Sequence, residues 1–169
     1  MLMRIAGIVQ DSIVDGEGIR LTVFVQGCPH ACPGCHNPET HDFNGGRMVD
    51  TSEIIAMLDV NPLLDGVTLS GGEPFCQSEK CKIIADAAHE RGLNVWCYTG
   101  YTCDELMKFG DPYDIALLGS IDVLVDGRYM QEQRTLELPF RGSRNQRIII
   151  LRNGKNGAKM DGGKENDCE

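Results

Sequence analysis

A nearly continuous apolar run, Leu21-Thr-Val-Phe-Val25, stops at Gln26-Gly27 and gives way at once to three cysteines, Cys28, Cys32 and Cys35. A strand with one wet face alternates apolar and polar residues. One this continuously apolar needs cover on both faces, the condition met inside a parallel sheet with helices outside. Similar runs recur along the chain and predict core strands at residues 20–26, 66–70, 93–98, 121–125 and 146–151, with a weaker first strand at 4–9. Between them lie helix signals. Asp50 with Glu53 and Thr102 with Glu105 form capping boxes that open helices over 50–59 and 102–110, and Pro112 opens a short piece to residue 118. Residues 78–91 place Ile83, Ile84, Ala87 and Ala88 inward, and Gly92 stops that helix. The alternation predicts an α/β fold built from βαβ units, whether an open sheet or an incomplete barrel.

Within that frame Cys28, Gly71, Thr99 and Asp126 each fall just after a strand, at the end where α/β folds place their sites. The C-x3-C-x2-C triplet alone cannot complete a tetrahedral zinc site, but it suits three irons of a cubic 4Fe-4S cluster, leaving the fourth iron open. Zinc completed by His30, His36 or a distant cysteine, and simple reduced thiols, are the competing readings. Cys76, Cys81, Cys97 and Cys103 read as small apolar residues rather than as a second metal site.

Composition narrows the function. The formal charge of −9 disfavours nucleic acid, which needs a concentrated basic surface. No apolar run is long enough for a membrane span, and Met-Leu-Met-Arg-Ile-Ala lacks the layout of a secretory signal, so the expected location is cytoplasmic. Eight unevenly spaced cysteines without such a signal fit a reducing compartment, where thiols remain available as ligands. Arg141, Arg144 and Arg147 form the one basic cluster, either a solvated loop or a dock for a partner protein. The chain divides into one domain over 1–152 and a Gly/Asn/Lys-rich stretch at 153–169 that reads as a flexible C-terminal tail.

The triplet followed by Gly71-Gly72-Glu73-Pro74 resembles the radical S-adenosylmethionine (SAM) superfamily. Asp15-Gly-Glu-Gly-Ile-Arg20, Phe24-Val-Gln-Gly-Cys28 and Cys35-His-Asn37 are similar to its members that activate glycyl radical enzymes. The segments 96–101, 122–127 and 141–148 resemble, within that group, the activators of anaerobic ribonucleoside-triphosphate reductase. The resemblance implies a partial (β/α)6 barrel with one 4Fe-4S cluster on Cys28, Cys32 and Cys35. SAM is then expected at Gly34, Cys35, His36, Gly71, Gly72, Glu73, Pro74, Thr99, Asp126, Gly127 and Arg128, with cluster and SAM rather than a side chain carrying the chemistry.

The family's usual aromatic before the third cysteine is replaced here by Gly34, and the aspartate of the formate-lyase activators by Tyr98. The implied partners are the large subunit of anaerobic ribonucleoside-triphosphate reductase and a low-potential electron donor such as flavodoxin or ferredoxin. An activator of pyruvate formate-lyase or another glycyl radical enzyme, and a non-catalytic iron-sulfur or zinc module, are the alternatives.

Overall fold

The computed structural model describes residues 1–152, and the stretch expected to be a flexible tail lies outside the described residues. The strands are β1 (Leu2–Ser12), β2 (Arg20–Val25), β3 (Arg47–Asp50), β4 (Gly66–Gly71), β5 (Asn94–Tyr98), β6 (Val123–Asp126) and β7 (Arg147–Ile150). The helices are α1 (Thr51–Met57), α2 (Ser78–Glu90), α3 (Cys103–Phe109) and α4 (Pro112–Leu118). All seven strands join one sheet in the order β3-β1-β2-β4-β5-β6-β7.

The expected parallel sheet is present at its centre, where β2, β4, β5 and β6 pair parallel. Both margins depart from it. β1 pairs antiparallel with β2, β3 with β1, and β7 with β6. The seven residues between β1 and β2 are too few for a parallel crossover, which takes about a dozen. β3 escapes the sequence pattern because it is four residues long, half exposed, and its last residue Asp50 is already the cap of α1.

The register separates two faces. Leu21 pairs with Val67, Val67 with Val95, Cys97 with Leu124 and Leu124 with Ile149, and all of these residues are buried. They face α2, which packs on β4 and β5 and against α1 and α4. The opposite face carries Arg20, Thr22, Thr68, Ser70, Trp96 and Tyr98, a far more polar set. Loops cover it instead of helices. Arg20 Nη1 donates to the Glu17 carbonyl at 2.8 Å, Thr68 Oγ1 donates to the Asp15 carbonyl at 2.7 Å, and Phe140 meets the Trp96 ring edge-on at 5.2 Å. Arg20 is wholly buried, and that burial lowers its pKa to about 10 despite nearby acidic groups.

The capping boxes form as the sequence predicts. Asp50 with Glu53, and Thr102 with Glu105, exchange side-chain and backbone hydrogen bonds at the starts of α1 and α3. Asp111 with Asp114 does the same ahead of α4, so a third box stands where proline alone signals the start. Ser78 at the head of α2 hydrogen-bonds Asp114 and so ties the two helices together.

Candidate active site

The C-terminal ends of β2, β4, β5 and β6 open onto one cavity of about 240 Å³. β2 delivers the cysteine loop along one wall. Gly27 N donates to Thr40 O at 2.8 Å and Cys28 N to His41 O at 3.2 Å, so the loop leaves the sheet pinned to the segment that follows it. Cys35 N closes a turn on Cys32 O at 3.1 Å, and Gly34 within that turn has a left-handed φ of 73°. An aromatic at 34 would meet both that strain and the Gln131 side chain, which lies 2.8 Å from where a Cβ would stand. Ala31 is also left-handed, with φ of 48°, although it carries a Cβ.

All three thiols reach the cavity. Backbone groups of His30 and Ala31 hydrogen-bond the Cys28 sulfur, that of Tyr129 the Cys32 sulfur, and Asn37 N donates to Cys35 Sγ at 3.4 Å. Burial raises the Cys28 and Cys32 pKa values in the metal-free loop. Among the described residues no three His, Cys, Asp or Glu side chains converge as ligands of a single ion would. A cubane instead takes its thiolates at separate corners, so a looser triplet suits it. Cys76 is exposed, whereas Cys81, Cys97 and Cys103 are buried within the apolar layer.

β4 delivers the opposite wall. Gly71 has φ of 95°, and a Cβ there would stand 2.6 Å from Val25 N; one on Gly72 would stand 2.4 Å from Gly27 O. The two glycines are therefore required by close passage of β2 and the cysteine loop as well as by any ligand. Glu73 turns away from solvent altogether, at 0% exposure. Its carboxylate accepts from Thr99 Oγ1 at 2.9 Å, Gly100 N at 2.9 Å, Phe75 N at 3.1 Å and His30 Nε2 at 2.7 Å. Pro74 is buried at the start of a short 3-10 turn.

Of the residues singled out by sequence, Cys28, Cys32, Cys35, His36, Gly71, Gly72, Thr99 and Gly127 share the cavity wall. Asp126 stands behind it. Its carboxylate, 1% exposed, accepts from Cys103 N at 2.7 Å and from Arg147 Nη2 at 2.5 Å and Nε at 3.0 Å. Arg128 points its Nε at His30 Nδ1 at 3.3 Å. The basic cluster is not one patch, since Arg147 serves Asp126 while Arg144 pairs with exposed Glu137 at 3.0 Å.

The cavity also takes Asp15, His30, Ser70, Tyr98, Tyr129 and Gln146, which local pattern alone does not assign to it. Tyr129 lies 4.8 Å from His36, and Gly142 leaves room for both rings. Burial, reinforced by Asp15, raises the Tyr98 pKa.

A three-thiol loop at the carboxyl edge of a mixed α/β sheet defines a class of cluster-binding chains, and a family model described as a 4Fe-4S single cluster domain matches residues 14–149. Within that class the chain belongs to the family of anaerobic ribonucleoside-triphosphate reductase-activating proteins. It is 37% identical over 146 residues to the protein of that name from Haemophilus influenzae, covering 80% of this chain and 90% of that one. The protein of the same name from Escherichia coli strain K12 is 35% identical over 148 residues, with 83% and 94% covered. That from Enterobacteria phage T4 is 32% identical over 141 residues, with 80% and 86% covered. Among solved structures, QueE from Escherichia coli overlaps 60% of this chain and 54% of its own at 16% identity and a TM-score of 0.47.

Proposed function

We propose that this chain is a radical SAM activating enzyme that installs a glycyl radical in anaerobic ribonucleoside-triphosphate reductase. The observation that carries the reading is the convergence of three thiols and the Gly71-Gly72 backbone on one cavity. The donor set fits a cubane, with three sulfurs on one short loop and main-chain hydrogen bonds to each. Cys28, Cys32 and Cys35 would hold the cluster. The backbone of Gly71 and Gly72, with His36, Thr99 and Gly127, would hold SAM. Gly34, Glu73, Pro74, Asp126 and Arg128 would act behind that surface by fixing its loops.

When bound, reduced cluster and SAM supply a 5′-deoxyadenosyl radical that takes a hydrogen atom from a glycine of the partner. The protein's own part is to bind, orient and exclude water. No side chain needs to move a proton. Of a partial (β/α)6 barrel the sheet supplies four parallel strands; their polar, loop-covered face would admit a loop of the reductase's large subunit, and docking would complete the dry cavity. A low-potential donor such as flavodoxin or ferredoxin would supply the electron, in the cytoplasm. Residues 1–152 would form the working domain and 153–169 a tail. No helix among the described residues is long and apolar enough to cross a membrane.

The test is anaerobic reconstitution followed by assay with SAM, a reductant and the reductase. Serine at Cys28, Cys32 or Cys35 should abolish the cluster, and serine at Cys76 or Cys81 should leave it. Wild type should release 5′-deoxyadenosine and raise a glycyl EPR doublet on the reductase. Radical on pyruvate formate-lyase alone would replace the partner; a cluster without SAM cleavage would reduce the chain to a binding module.

A further inference from the structure

A histidine in a loop between two cysteines ordinarily faces water. The His30 side chain is nevertheless 4% exposed, enclosed by Tyr101, whose ring lies 4.5 Å away at 74°, and by Gly100. A Cβ on Gly100 would stand 2.3 Å from the imidazole, so the chain at that point passes flat against the ring. Arg128 Nε donates to Nδ1 at 3.3 Å. The ring's other nitrogen, Nε2, lies 2.7 Å from Glu73 Oε2, within hydrogen-bond reach of the carboxylate.

The other three donors to Glu73 are Thr99 Oγ1, Gly100 N and Phe75 N, all on segments that leave β4 and β5. His30 is the donor that comes from the cysteine loop. Remove it and Glu73 still joins the β4 and β5 ends, but the cysteine loop loses its side-chain tie to them. Buried and unable to recruit water at that oxygen, the carboxylate is sensitive to the loss of a donor.

We propose that His30 is a positioning residue, clasping the cysteine loop through Glu73 to the strand ends that would hold SAM. The consequence for SAM rests on the function proposed above; the clasp itself rests on geometry alone. Register between the cluster iron and the Gly71-Gly72 backbone is then set partly by one histidine-carboxylate bond, made across 43 residues of chain.

The experiment compares wild type with His30→Leu, which removes the donor, and His30→Gln, whose amide nitrogen reaches the Nε2 position. Iron per chain is measured after reconstitution. SAM affinity is read from the change in the reduced cluster's EPR spectrum on titration. In metal-free protein, hydrogen exchange is followed at the Glu73 amide, which donates to Gly27 O at the head of the cysteine loop at 2.9 Å. Iron should stay at the wild-type level in both variants, because the three thiols are intact. SAM affinity should fall about tenfold in His30→Leu and recover to within about threefold in His30→Gln, the scale of one hydrogen bond to a buried charged group. Glu73 amide exchange should speed by about tenfold in His30→Leu, as the loop opens from the β4 end, and stay slow in His30→Gln.

Unchanged affinity and exchange in His30→Leu overturn the clasp. So does a glutamine variant as impaired as the leucine one, or equal iron loss in both, since His30 would then serve only the folding of its own loop. A wild-type protein that takes up no cluster or no SAM refutes the proposed function instead. In that event the exchange measurement still decides the clasp.

Discussion

Replacing Gly72 by alanine tests whether the Gly71-Gly72 turn is shaped by ligand or by protein. The sequence predicts a side chain there that obstructs SAM first and leaves the cluster undisturbed. The structure predicts otherwise, because the new Cβ would stand 2.4 Å from Gly27 O, 2.9 Å from Gly27 C and 3.0 Å from Thr40 O. All three atoms are main chain and cannot swing aside. Ordinary contact begins at about 3.4 Å, so Gly27 must retreat by roughly 1 Å, an overpacking that costs about 1–3 kcal/mol. For a chain of this length that lowers Tm by about 2–4 °C per kcal/mol, or roughly 6 °C at the centre of the range.

The retreat is not local. Gly27 O accepts Glu73 N at 2.9 Å, and Cys28 is the next residue, so iron uptake should fall together with SAM affinity. Gly7→Ala is the control, since nothing lies within 4 Å of its Cβ and its Tm should hold or rise. Scanning calorimetry of metal-free protein, then iron analysis, decides the matter. A Gly72→Ala protein with wild-type Tm and full iron but weakened SAM binding would refute this reasoning and restore the ligand as the reason for the glycine.

Three further outcomes follow from the same geometry. Ala31→Gly should stabilise metal-free protein by up to about 1 kcal/mol, because left-handed strain of about 1–2 kcal/mol is relieved against a smaller gain in unfolded-chain entropy; urea unfolding showing a loss would contradict it. Arg147→Ala should destabilise by about 1–3 kcal/mol in the same assay by taking two of the donors from Asp126, and Arg147→Lys should restore only part, since it cannot grip both oxygens. Asp50 is held at about 2, below the usual 3.8, by the Ser52 N–H and hydroxyl and by the chain's amino group. Its stabilising contribution is therefore complete above about pH 4 and is lost as pH falls through about 2, and an NMR titration midpoint near 3.8 would remove it.

How much of the fold is legible depends on whether its signal is local. Capping boxes at Asp50 and Thr102 are contained within four residues, and both form where the sequence places them. The core strands are legible too, since burial on two faces leaves a continuous apolar run, and β2, β4 and β5 begin or end within a residue of their expected limits. Strand direction is not local. Residues 146–151 read as one more strand of an alternating series, but the connection from β6 contains no α-helix, and β7 returns antiparallel. Nothing in the apolar run Ile148-Ile-Ile150 distinguishes the two outcomes.

The site divides by the same rule. Three cysteines on one loop and two glycines at one strand end announce themselves by spacing, and the fold brings them to one cavity. The charged residues do not, because their roles are decided by partners far along the chain. Arg141, Arg144 and Arg147 look like one basic surface, yet Arg147 reaches back 21 residues to Asp126 and leaves the others behind. Glu73, adjacent to the glycines, looks like a ligand for SAM; four donors from as far as 43 residues away turn it inward. His89 on α2 likewise finds its partner far along the chain, meeting Asp122 at 2.8 Å. A buried carboxylate must find donors, and the fold supplies them from whatever strand ends meet there. Apart from Asp15, the cavity wall is thus left to backbone, thiols, rings and neutral polar side chains, groups that suit a reaction in which the protein positions and shields rather than exchanges protons.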